Sequence, residues 1–578
     1  MRSRVRSLLR RAVYRLPVHW QLRVTRGKRA ILRQYDWAIP IKRVRLREQD
    51  YLDQTTLKSD SLSDRKRIIV WTLQQFPPWV DIGYVLATAM RLRGHDVRGM
   101  LCDGLLPVCE MNLGLIERPP CETCIMSSSR YEDAFGFTFA RLSDLLFEED
   151  REKAERLVAQ TPNDDLLALV VDDVRVGALA KRELQRYYRG FVFDPLRDDA
   201  FRQWLVTAIL LTWLSARCLD RVQPDIVIAS SGKTLPTACL FESARRRGIH
   251  VVTWDTSPWY PNGLLFSHNK PAVEVDLGDE WKDASKQALS GSQLLDLNEF
   301  LRRWARSENT PFPYNTTPLE DEQTIRHQLG LRLHVPIVAA FANTSWDMAV
   351  ADRDVGFESM FDWIFSLVEY AIAHPEIDLV VRAHPAEKKV PLHLQSRTPV
   401  AAEIRKRYEP LPPHIKLIEG DNPVSSYILG VMAHVVMVYN TGLGMELALG
   451  GKRPWIAGDV TYRGKGFTRD LISRDQMLSM LDAKVFDNRL SKGEVELAQR
   501  FAYLWIFRHV VRNPFVDPNR NYRFTVRTFR DVAHPGHPVI EELCEAILTK
   551  RPFIDIGHAR SSRQGEAPKP ETSASKGR

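Results

Sequence analysis

At 578 residues the chain exceeds a single hydrophobic core and points to several domains; 44% of it is hydrophobic and 26% charged, the balance of a soluble globular protein. Its net charge of +9 is unevenly spread: residues 1–47 carry 15 Lys/Arg and one acid, Asp36, a local +14 that leaves the remainder at about −5. That excludes a basic nucleic-acid-binding body, and no nucleic-acid partner is expected.

The elements follow in chain order. Within the arm and linker (residues 1–64), Val5, Leu8, Leu9, Ala12, Val13 and Leu16 recur at helical spacing, flanked by Arg2, Arg6, Arg10 and Arg15 and ended by Pro17. Two readings stand for this basic amphipathic helix: residues 2–16 on an anionic membrane surface, or a solvated terminus. An organellar presequence would share the pattern, whereas no apolar run of secretory type follows the arginines. The longest apolar stretch, Leu205–Leu214, is ten residues, half of a membrane span, and reads as a buried helix. Seven cysteines without a signal peptide indicate a reducing compartment, hence a cytoplasmic protein, peripheral at the inner membrane if the arm binds it.

Residues 65–289 read as a first Rossmann-like domain. Strand 65–73 leads through QQFPPWVDIG into a helix over 84–93, then a strand over 96–104, without the GxGxxG fingerprint. Residues 140–220 are mostly helical. Then PDIVIASSGKT (224–234), a helix over 237–247 and IHVVTWDTSP (249–258) make a second βαβ unit. A connector (290–334) precedes a second Rossmann-like domain (335–490), whose strands 378–382 and 435–439 are β-branched runs of the buried parallel kind. A helix over 493–512 opens a C-terminal helical segment (491–560), and the tail 561–578 has a disordered composition. The fold class is α/β: two Rossmann-like domains facing a cleft, with a basic N-terminal helix and a disordered tail.

Ligands of open α/β sheets bind where strands end and helices begin. The second domain offers three such ends: Asn343-Thr344 in FANTSWD, Arg382-Ala-His384-Pro385, and Asn440-Thr441-Gly442-Leu-Gly444 before Glu446. Glycine turns and helix N-terminal amides suit a phosphate, Glu446 could accept from ribose or sugar hydroxyls, and Arg382 and His384 could neutralise a departing nucleotide. The alternative is a set of ordinary strand–turn–helix junctions.

RAHPAE, NPVSSYI, YNTGLGMELALGGKRPWIAG, YRGKGFT and FANTSWD resemble the capsule polysaccharide biosynthesis family, which includes Kdo transferases and related GT-B glycosyltransferases. PDIVIASSG, RRRGIHVVTWDTSP and FSHNKPAVEVD are similar in order to related polysaccharide enzymes, so the resemblance spans roughly 65–480. It implies a GT-B-like architecture and transfer of a sugar from a nucleotide-sugar donor to a glycan or lipid-linked acceptor of surface polysaccharide. His384 and Pro385 would contact the donor nucleotide, Asn440, Thr441 and Glu446 would complete the pocket, and Ser425 and Ser426 would lie nearby. A nucleotide-sugar epimerase, a glycerophosphotransferase or a non-catalytic glycan-binding scaffold could share this plan, and the nucleotide (CMP or UDP) stays open.

A transferase also needs a group to deprotonate the acceptor. Asp255, Asp81 and His268 are candidates, with Asp255 favoured because related sequences carry an acid there; it could equally cap a turn before Pro258. Asp347 is a further acid, and Trp254, Trp259 and Tyr260 either stack on a sugar or belong to the core. Without a DxD-type pair, no cofactor is required at the donor. Cys102, Cys109, Cys121 and Cys124, in the pattern C-x6-C-x11-C-x2-C, are either ligands of a structural zinc or incidental thiols.

Overall fold

The computed structural model describes residues 65–73, 77–111, 138–308, 321–390, 395–517, 523–524, 531–533 and 535–557, together with Cys121, Cys124, Ile125, Ser128, Ser129, Glu132 and Phe135. The basic arm with its residues 2–16, the tail 561–578 and the Asp81 side chain lie outside the described residues.

The first sheet holds β1 (Arg67–Trp71), β2 (Asp96–Leu101), β3 (Ala140–Arg141), β4 (Ile226–Ser230), β5 (His250–Thr256), β6 (Gly263–His268) and a late strand, β13 (Val511–Arg512), in the order β13-β6-β5-β4-β1-β2-β3. β5, β4, β1, β2 and β3 run parallel, and the apolar runs of β1, β4 and β5 are buried between two helical layers. One layer comprises helices Asp150–Gln160, Val176–Tyr188 and Asp199–Val222, the last enclosing the apolar run Leu205–Leu214. The opposite layer holds Pro77–Leu92 and Pro538–Thr549.

The second sheet is wholly parallel: β7 (Ile337–Phe341), β8 (Asp378–Arg382), β9 (Ile415–Ile418), β10 (Val435–Val438), β11 (Trp455–Ile456) and β12 (Arg469–Asp470), in the order β12-β11-β10-β7-β8-β9. The chain leaves β7 toward β8 and β9, then returns to its other side for β10. That reversal opens a crevice at the carboxyl ends of β7 and β10, where a doubly wound sheet accepts ligands. In the first sheet the corresponding reversal lies between β1 and β4. The two Rossmann-like domains expected from the sequence are both present and face one cleft.

The expected helix over 493–512 is shorter. Lys492–Tyr503 is α-helical, Leu504–His509 widens into a π-turn, and the β-branched Val510-Val511 then passes into β13, which pairs antiparallel with β6. Pro538, at the start of a helix capped by His537, opens another that returns to the first domain's core. Segment 491–560 therefore belongs to both halves of the molecule. Between the domains, Arg182 pairs with Asp352 at 2.5 Å, Arg353 donates to the Glu274 carbonyl at 2.9 Å, and the Phe191 amide donates to Thr398 Oγ1 at 2.7 Å.

Candidate active site

The second domain's wall is built at the reversal. Asn343, at the end of β7, donates through Nδ2 to the Asn440 carbonyl after β10, and Asn440 Nδ2 donates to the Ala349 carbonyl at 3.0 Å. These two amides tie both strand ends and the loop between them into one surface. Glu446 stands above it, accepting from the Tyr427 hydroxyl and the Trp304 indole; burial outweighs both and lifts its carboxyl to about 7.

Arg382 and His384 differ from the cations expected at a departing nucleotide. Arg382, 4% exposed, donates to the Glu419 and Asn422 carbonyls and toward Ser426 Oγ, so its guanidinium fastens the 419–426 loop. His384 accepts at Nδ1 from the Ala386 amide at 3.1 Å, which places its hydrogen on Nε2. Burial, reinforced by Arg382, lowers its pKa to about 4, so the ring is a neutral donor at physiological pH. His384→Ala is expected to lower turnover by about 10²-fold, the scale of one lost hydrogen bond to developing charge. Unchanged activity would remove His384 from the site.

The helix after β10 also departs from expectation. It spans only Leu443–Leu449, and its start is filled from within: Leu443 donates to Thr441 Oγ1 at 3.4 Å, Met445 donates to the Gly442 carbonyl at 3.0 Å, and the Tyr462 hydroxyl donates to the Thr441 carbonyl at 2.6 Å. A Cβ on Gly444 would lie 2.3 Å from that hydroxyl, so glycine is needed for packing rather than for approach to a phosphate.

The first domain supplies the opposite wall. Ser231, just after β4, has φ +54°, followed by Gly232 at +79°; this left-handed turn holds Ser231 at the cleft. Asp255, near the end of β5 and 8% exposed, accepts from the Thr256 amide at 2.7 Å and from the Ser231 hydroxyl. Burial raises its pKa to about 6; Arg186 favours its charge, and Asp347 across the cleft opposes it. Burial also raises Asp347. Arg186 sits between Glu110 and Glu183, which hold its pKa above the usual arginine value although burial opposes its charge.

The walls enclose about 580 Å³, within the range of small-molecule sites. Asp255, Asn343, Thr344, Arg382, His384, Pro385, Ser426, Asn440, Thr441, Gly442 and Glu446 all line this cleft. Ser425 and Gly444 stand behind it, Ser425 as the N-cap of Ser426–Met432. His268 is elsewhere, between His250 at 3.0 Å and the Arg551 carbonyl at 2.9 Å; it pairs in register with Val252, away from the carboxyl end of β5. Trp254 is core, while Trp259 lines the cleft and reaches Gly442. Arg186, Arg189, Arg353, Tyr427 and Trp505 also line it and were not anticipated. Only Tyr427, inside NPVSSYI, carried a sequence signal.

No family model matches the chain, and no curated protein matches it. Among solved structures it is similar to the Thermosulfurimonas dismutans KpsC beta Kdo 2,4 transferase, with 14% identity over 56% of this chain and 87% of that one and a TM-score of 0.31. It is also similar to the Neisseria meningitidis UDP-GlcNAc 2-epimerase bound to UDP-GlcNAc, with 11% identity over 75% and 98% of the two chains and a TM-score of 0.22. CalG4, the calicheamicin glycosyltransferase, gives 11% identity, 84% and 99% coverage and a TM-score of 0.25. Likenesses at this level transfer no activity to this chain.

Proposed function

We propose that the protein is a GT-B-type glycosyltransferase that moves a sugar from a nucleotide-sugar donor to a glycan or lipid-linked acceptor of a surface or capsular polysaccharide, without a metal at the donor. The observation that carries this reading is the meeting, across one cleft, of Asp255 from the first domain with His384, Asn440 and Glu446 from the second. In this reading the donor lies against the β7–β10 crevice. His384 Nε2–H hydrogen-bonds the leaving phosphate, Asn343 and Asn440 keep the crevice in shape, and Glu446 accepts from sugar or ribose hydroxyls. Asp255 takes the proton of the acceptor hydroxyl as it attacks the anomeric carbon and the nucleotide departs. Arg186, beside Asp255, favours its ionised form. The arm, residues 2–16, would keep the enzyme at the cytoplasmic face of the inner membrane.

Thermal unfolding with UDP, CMP and their sugars tests the donor site. A ligand at 100 times its Kd adds about 2.7 kcal/mol of stability, so at least one nucleotide should raise the Tm. No shift with any of them would remove the donor reading.

A further inference from the structure

We propose that Cys102, Cys109, Cys121 and Cys124 form one thiolate site for a soft metal centre, and that this centre holds Glu110 in place against Arg186 of the cleft. All four cysteines line one small cavity of about 30 Å³. That space suits an ion rather than an organic ligand. The amides of Gly104, Leu105 and Leu106 hydrogen-bond the Cys102 sulfur, and the Met111 amide hydrogen-bonds the Cys109 sulfur. Amides turned onto cysteine sulfurs are the outer-shell support that orients metal-ligating thiolates. Gly104 has φ +89°, and a Cβ there would lie 3.3 Å from the Cys121 Cβ, so the first turn fits closely against the Cys121–Cys124 pair. The other three cysteines differ: Cys218, Cys239 and Cys544 are buried singly among core side chains.

Among the described residues, no group of three or more His, Cys, Asp or Glu side chains already has the disposition of a metal site. Binding therefore requires the sulfurs to draw together, to about 2.3 Å from a common ion in the case of zinc. Glu110 follows Cys109 directly, lines the same cavity and ion-pairs with Arg186, which lines the cleft beside Asp255. Closing the sulfurs on an ion would fix the Cys109–Glu110 backbone and, through Glu110, the position of Arg186. Nothing in this proposal depends on what the cleft transforms.

Metal analysis of the full-length protein, purified anaerobically and without chelators, tests it. The expected result is about one equivalent of zinc, or iron with acid-labile sulfide and visible charge-transfer absorbance; either supports a tetrathiolate centre, and the absorbance tells them apart. Less than about a tenth of an equivalent of both, persisting after the reduced protein is incubated with Zn2+ or with ferrous iron and sulfide, would overturn it. Cys121→Ser should lose the metal and Cys544→Ser should keep it; equal retention would also overturn it. Should Cys121→Ser fail to fold, titrating the parent protein with an organomercurial provides the same test. Metal release in step with the loss of these four thiols supports the site, and release independent of them overturns it.

Discussion

Asp255→Asn is expected to lower the rate of sugar transfer by about 10²–10⁴-fold, the usual contribution of a positioned general base, while leaving nucleotide binding and the Tm close to those of the parent protein. Asparagine matches the carboxylate in size and can still accept from the Thr256 amide and the Ser231 hydroxyl, so the turn after β5 should survive. What disappears is the proton acceptor. The parent's pH–rate profile carries the sign of this effect. Asp255 titrates at about 6, raised by burial, and only its ionised form accepts a proton. The rate should therefore climb as pH rises through about 6 and then level off. Glu446, lifted to about 7, is the competing base. An acid limb that persists in Asp255→Asn and vanishes in Glu446→Gln would reassign the role.

The largest stability effect is expected from Arg186→Met. Arg186 pairs with Glu110 and lies 3.7 Å from Glu183, whose carboxylate side chains are 2% and 1% exposed. Removing the cation leaves two buried carboxylates uncompensated, a loss of about 3–5 kcal/mol for a broken buried ion pair. Glu183 also accepts from the Leu235 amide at 2.7 Å, so its burial anchors the helix Leu235–Arg246 as well. Burial already lifts Glu110 to about 7 against the pull of Arg186, and the variant should lift it further. A carboxyl with a raised folded pKa is stabilising below its unfolded value and loses that contribution as pH rises through the folded one. The deficit of Arg186→Met should therefore be smallest near about pH 5 and largest above about pH 8. Denaturant unfolding at the two pH values measures it, and a deficit independent of pH would contradict the ion-pair account.

The parts of this molecule that were legible in the sequence share a physical cause. β1, β4, β7, β8 and β10 are buried strands, so each is a short apolar run, and the residues just beyond β4, β7, β8 and β10 line the cleft. Asn343, His384, Asn440 and Asp255, singled out as strand-end residues, line the cleft. β6 and β13 were missed because antiparallel pairing at a sheet edge depends on tertiary contacts rather than on local pattern. Arg186 was hidden in an ordinary amphipathic helix, where a buried arginine and a solvated one have the same spacing. The turn near Gly442 read as open to phosphate because nothing local indicates that the Tyr462 hydroxyl, eighteen residues beyond Gly444, packs against Gly444 and bonds the Thr441 carbonyl.

Product analysis with a panel of UDP- and CMP-sugars and a polysaccharide-derived acceptor tests the central claim most directly. One donor should release its nucleotide as its sugar becomes joined to the acceptor, and Asp255→Asn should slow both together by about 10²–10⁴-fold. Recovery of an isomerised sugar without transfer, or of every donor unchanged while a nucleotide still binds the cleft, would contradict it.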